Sequence, residues 1–154
     1  MAPRYGRAIS SERVFIPVPY QRGCQITMMG AISVEKIEAA MYGDWSANGD
    51  IFLNFLERWL CPILHDEHVV VMDNVRFHQV TGVEELIKSK GARVVYLPPY
   101  SPELNPIEEM WSKIKFILRK LSARTFLDFK HAIKIAFESV NSNDLTGWFR
   151  HAGY

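Results

Sequence analysis

Hydrophobic positions follow an extended pattern early in the chain and recur at helical intervals later, so their period divides the sequence into elements. Between residues 13 and 32, Val14, Phe15, Ile16 and Val18 are followed by a polar turn at Gln21, Arg22 and Gly23, then by an apolar stretch ending at Ile32. This predicts two strands, over 14–19 and 25–32, joined as a hairpin. Pro17 and Pro19 push the first strand towards an edge or a fraying end, because proline cannot donate a ladder hydrogen bond. A third short strand is expected over 37–42. After Gly43 the spacing changes: Ile51, Phe52, Phe55, Leu56, Trp59 and Leu60 predict a helix that stops at Pro62, with Asn48 as its N-cap.

The run Val69, Val70, Val71, Met72 is continuous rather than alternating, as expected of a strand buried on both faces, and it ends in Asp73-Asn74. A helix carrying Val83, Leu86 and Ile87 then stops at Gly91, and residues 93–97 supply another strand. Residues 98–106 hold four prolines, Pro98, Pro99, Pro102 and Pro106, which makes the segment a stiff loop. From Pro106 a helix runs through Ile107, Met110, Trp111, Ile114, Leu118 and Leu121. A second follows over 127–140, and a short piece surrounds Trp148 and Phe149. Strands first, then strand, helix, strand and helix, describe an α/β fold: a mixed sheet covered by helices.

Composition narrows the picture. With 154 residues, 48% of them hydrophobic, the chain has the size of one domain with a sizeable core. Its formal charge of +1 means that contact with a polyanion has to come from local patches. Cys24 and Cys61 form no disulfide framework, residues 1–13 lack the apolar run of a signal peptide, and nothing approaches the roughly 18 apolar residues of a membrane span. A soluble cytoplasmic protein is expected, without a membrane partner.

Two acids stand out. Asp73 follows a strand whose end is where ligands and catalytic groups collect in open α/β sheets, although Asp-Asn is also a favoured turn pair. Glu108 stands third in a helix opened by Asn105 and Pro106, which reads equally as a capping box. Residues 74–107, 34 positions, separate the two acids, and the intervening helix, strand and stiff loop can fold Glu108 back towards Asp73. Magnesium is commonly held by one or two carboxylates plus substrate phosphates, so such a pair suits phosphoryl transfer.

Three groups of residues carry a resemblance. They are residues 71–78 with Asp73, Asn74 and His78; residues 97–108 with Pro98, Pro99, Tyr100, Ser101, Pro102, Asn105, Pro106 and Glu108; and Trp111 with Lys115. Together they resemble transposases of the mariner superfamily, in its bacterial insertion-sequence branch. The likeness extends to Arg4, Tyr5, Gly6 and Arg7 near the start and to residues 148–154 at the end. It implies an RNase H-like domain with three acids binding two Mg2+ ions, for which Mn2+ can substitute, with Asp73 as the second acid and Glu108 as the third. The implied reaction is cleavage of DNA at transposon ends, then attack of the freed 3′-hydroxyl on target DNA.

The first acid of that family lies on a central strand ahead of the Arg4–Arg7 segment, and here Met1 stands only three residues before Arg4. Asp44, Asp50 and Asp66 read as loop residues rather than substitutes. The expectation is a single, partial catalytic domain over 1–154, without its first strand or an N-terminal helix-turn-helix. Such a chain would be poorly active alone, weakly stable and self-associating. The runner-up function is a non-catalytic remnant that binds DNA or pairs with an intact transposase.

Other residues have weaker roles. His78 and Asn74 are candidate substrate contacts, with packing the alternative for His78. Trp111, Tyr100 and Tyr96 could stack on bases, but Trp111 lies on the same helical face as Ile107 and Ile114 and reads as core. Lys113, Lys115, Arg119 and Lys120 belong to a local excess of positive charge suited to phosphate contact, or simply to a solvated helix face. Cys61, His65 and His68 lack a fourth partner and the usual spacing for structural zinc.

Overall fold

In a computed structural model, which describes residues 26–122 and 126–154, the elements follow the hydrophobic period with four informative departures. Strands β1 (Thr27–Ile32) and β2 (Ile37–Gly43) form an antiparallel hairpin, in register from Thr27 opposite Gly43 to Ala31 opposite Ala39, with the register shifting before Ile32 opposite Ile37. The expected strand over 14–19 and the Arg4–Arg7 segment lie outside the described residues. Helix α1 (Gly49–Phe55) starts where Asn48 accepts a hydrogen bond from the Ile51 amide at 2.9 Å. Strand β3 (Val69–Met72), helix α2 (Val83–Lys88) and strand β4 (Arg93–Tyr96) form a parallel crossover unit. Then come α3 (Pro106–Leu121), α4 (Phe126–Glu138) and α5 (Ser142–His151).

The first departure is in the long helix expected over 51–60. It is α-helical only to Phe55, widens into a π turn over Leu56–Leu60 and closes as a 3-10 turn over Cys61–Ile63. Pro62 accounts for this, since it lacks an amide hydrogen and its ring crowds the carbonyl four residues back. The Cys61 amide bonds instead to the Leu56 carbonyl, five residues away.

Sheet organisation is the second departure. Among the described residues the strands form two separate two-stranded ladders, β1–β2 and β3–β4, rather than one mixed sheet. The hairpin is covered on both sides. Met29 and Ala39 join a core with Phe52, Phe55, Leu56, Met72, Val83 and Ile87, while Met28 and Ile32 pack on Met110, Ile114 and Leu118 of α3 and Ala132, Ile133 and Ala136 of α4. Gly30 makes the second contact possible, because a methyl group there would stand 3.1 Å from the Trp111 ring. A buried Ile, Leu or Met contributes roughly 1.5–3 kcal/mol, so these two clusters dominate cohesion.

The third departure corrects the reading of β3 as buried on both faces. Met72 is buried and Val70 half-buried on the α1 side, but on the other face Val69 is 43% and Val95 46% exposed. Among the described residues this ladder has two strands, with too few covering elements to enclose both sides.

The fourth is α5, a full helix where only a short terminal piece was expected. Its capping box, Asn141 to the Asp144 amide and Asp144 to the Asn141 amide, is formed at 3.0 Å in both directions.

Candidate active site

The ladder brings the strand ends together before the site begins. After Tyr96 the pairing with β3 runs one bond further, from the Leu97 amide to the Met72 carbonyl at 2.9 Å. Asp73 and Leu97 therefore stand side by side where the ladder ends. The four prolines then turn the chain through a 3-10 turn at Pro102–Leu104 into α3, whose first position is Pro106. Tyr154 fastens this loop from the far end of the chain, its hydroxyl donating to the Leu104 carbonyl at 3.1 Å.

The result is a cavity of about 360 Å³ lined by Asp73, Asn74, the loop residues from Pro98 to Pro102, Asn105 and Glu108. The two acids singled out by the sequence thus face one space. A larger cavity of about 540 Å³ lies over Thr81, Glu84, Lys88 and Tyr96, but there Lys88 pairs with Glu84 at 2.5 Å. The smaller one holds the carboxylates without cations and is the better chemical site.

Glu108 owes its position to backbone geometry alone. Asn105 occupies the N-cap and its carbonyl accepts from the Glu108 amide at 3.1 Å, yet its side chain makes no capping bond, so the expected capping box is not formed. Proline at the first helical position presets the backbone angle and removes a donor that would otherwise need a partner. The Glu108 carboxylate is consequently exposed, without a protein donor among the described residues, at a helix N-terminus that favours negative charge.

Asp73 is held differently. Oδ1 lies 2.6 Å from Nδ1 of His78, whose ring also stands 3.2 Å from the Asp73 carbonyl. Oδ1 has this close contact but no aligned hydrogen bond, and it is shut off from solvent. The whole Asp73 side chain is nonetheless 40% exposed, which leaves the rest of the carboxylate open to the cavity. Burial raises the Tyr96 phenol above its ordinary pKa; it stays protonated and donates to the His78 carbonyl at 3.1 Å.

These donors suit a hard divalent cation. Two carboxylates and two asparagines offer oxygen ligands, and among the described residues both acids lack a full complement of protein partners. Among the described residues no group of three His, Cys, Asp or Glu side chains comes together to hold a metal.

Other predicted residues divide. Tyr100 is fully exposed at the cavity rim with its backbone in the left-handed region, φ 60°. Trp111 is half-buried against Gly30 and edge-on to Phe137 at 6.4 Å, a packing role. Lys115 and Lys120 are exposed and Arg119 half-buried on α3. Lys113 differs from the DNA-facing cation expected of it. Its ammonium lies in the seam between α3 and α5, donating to the Ser139 carbonyl at 2.9 Å and to Asp144 Oδ2 at 2.5 Å. The sequence reading missed this partner because Asp144 is 31 positions away and α5 was not foreseen. It also missed that His78 meets Asp73 directly, for which the only signal was the five-residue spacing.

The sequence model of a family described as DDE superfamily endonuclease matches residues 1–131. A comparison with curated proteins found no match.

Proposed function

The chain belongs to the DDE superfamily endonuclease family, and on that premise we propose that it carries the divalent-metal phosphoryl-transfer site of a DNA transposase. The observation behind this reading is the convergence of Asp73 and Glu108 on one cavity, neither carboxylate neutralised by a lysine or arginine among the described residues. Asp73 and Glu108 hold Mg2+, or Mn2+ in its place. When bound between these carboxylates, such a cation would supply the positive charge that activates an attacking hydroxyl and stabilises a leaving oxygen. The protein's own part is to fix the two carboxylates, and with Asn74 and the proline loop to shape the space that a DNA strand enters. Lys115, Arg119 and Lys120 on α3 attract the phosphate backbone without reading its sequence.

The finer assignment is to an RNase H-like transposase domain of the mariner superfamily, in its insertion-sequence branch. Supporting it are the parallel β3–α2–β4 unit with an acid at the end of β3, and the entry into α3 through Asn105, Pro106, Ile107 and Glu108. The open valine face of β3 and β4 supports association with a second copy or with an intact transposase.

A second reading is favoured by a specific observation: two carboxylates converge among the described residues, not three. It makes the chain a DNA-binding, non-cleaving form that pairs with an active transposase. The test is to incubate the whole chain with Mg2+ or Mn2+ and a supercoiled plasmid carrying the DNA that flanks its gene. Nicking that Asp73→Ala abolishes supports the enzyme, binding without nicking supports the second reading, and neither binding nor nicking contradicts both.

A further inference from the structure

His78 does not line the cavity; it reaches Asp73 from inside the protein. Its Nδ1 faces two oxygens, Oδ1 of Asp73 at 2.6 Å and the Asp73 carbonyl at 3.2 Å. A backbone carbonyl oxygen cannot donate, so the contact at 3.2 Å is a hydrogen bond when the ring hydrogen sits on Nδ1. The ring has little freedom. Its centroid lies 4.3 Å from that of Phe52 on α1, tilted by 41°, and 4.5 Å from that of Phe77, nearly perpendicular at 76°. The backbone is tied at both ends, its amide donating to the Val75 carbonyl at 3.0 Å and its carbonyl accepting from the Tyr96 hydroxyl at 3.1 Å. With the side chain 17% exposed, such an enclosed imidazole is a poor substrate contact and a good brace.

We propose that His78 is a positioning residue for Asp73: it holds Oδ1 from behind, so that the other carboxylate oxygen is presented to a divalent cation in the cavity. The inference rests on the reading of Asp73 as a cation ligand. Its physical basis is that a carboxylate turns readily about its last torsion, and a fixed ring nitrogen 2.6 Å from one oxygen restricts that turn and leaves the second oxygen for the ion. Phe52 and Phe77 have a part in it as well, because they fix the plane of the imidazole and hence where Nδ1 stands.

The test is a Mn2+ titration of the whole chain followed by electron paramagnetic resonance of the free ion, which requires no DNA cleavage. His78→Ala is expected to weaken Mn2+ binding roughly 10-fold or more, the usual effect of removing a partner that orients a ligand. His78→Asn places an amide N–H close to where Nδ1 stood and is expected to restore most of the affinity. His78→Gln, whose amide reaches the Nε2 position instead, is expected to bind as weakly as alanine. Wild-type affinity in His78→Ala overturns the proposal. So does equal loss in His78→Asn and His78→Gln when both retain the far-ultraviolet dichroism of the parent, since His78 is then only packing. Asp73→Asn separates the two levels. If it leaves Mn2+ affinity unchanged, the ligand reading of Asp73 falls and takes this inference with it; if it abolishes binding while His78→Ala does not, only the role of His78 is lost.

Discussion

Lys113 on α3 and Asp144 on α5 form an ion pair at 2.5 Å that also satisfies the Ser139 carbonyl at the end of α4. Three helices meet at this ammonium. The bond from Lys113 holds the Asp144 carboxyl below its ordinary range, assisted by the Asn141 amide. A carboxyl whose folded pKa is depressed stabilises the fold above its unfolded value of about 3.9, and that stabilisation disappears as pH falls through the lower folded value. Thermal unfolding from pH 6 down to pH 2 should therefore show an acid-side loss that Lys113→Met reduces. Nuclear magnetic resonance titration of Asp144 should show its carboxyl returning towards the ordinary range in that variant. An unchanged acid limb and an unchanged Asp144 titration would contradict this role.

Gly30 tests the contact that seats α3 on the hairpin. Its position leaves 3.1 Å to the Trp111 ring and 3.2 Å to the Ala39 carbonyl for any added methyl. Gly30→Val is expected to cost about 1–3 kcal/mol through overpacking and to alter Trp111 fluorescence. Gly30→Ala should cost less, because the indole needs to give by only a few tenths of an ångström. Chemical denaturation of the two variants checks the order.

Much of this architecture was legible in the sequence, and the reasons are specific. The helical spacing from Ile107 to Leu121 and the valine run at β3 are strong signals for the existence of each element, because each is a local pattern within one element. Asn48 and Gly91 marked a helix start and a helix end through local chemistry that needs no tertiary partner. Long-range consequences were not legible. That β3 would bury only one face depends on how many strands join it, and the fate of Lys113 depends on a helix whose polar start, Ser142, Asn143 and Asp144, hides its apolar face. The site divides in the same way. The identity of Asp73 and Glu108 came from their local settings, while the contact of His78 with Asp73 follows from how Phe52 and Phe77 set the ring.

Tyr100 stores local strain at the cavity rim. It is fully exposed at φ 60°, so its conformation is paid for by the rest of the loop and not by packing of its ring. Tyr100→Gly is expected to raise stability by about 1 kcal/mol, since glycine adopts left-handed angles without a Cβ clash. A fall in the unfolding midpoint would show that the phenol makes a stabilising contact.

The α3 cations should act individually on DNA affinity. Lys115→Ala and Lys120→Ala are each expected to reduce the slope of log K against log salt by about 1, as for loss of one phosphate contact. Lys113→Ala should leave that slope unchanged, because its charge is bound to Asp144. Fluorescence anisotropy with labelled duplex over a salt series gives all three values. An equal effect of Lys113 would mean that the seam opens on DNA.

The most direct test of the central claim is a double-mutant cycle on Mn2+ affinity with Asp73→Asn, Glu108→Gln and the double variant. If both carboxylates hold one ion, each single change weakens binding strongly and the double variant is hardly worse than the weaker single one. Wild-type affinity in either single variant, or losses that simply add, would contradict a shared site.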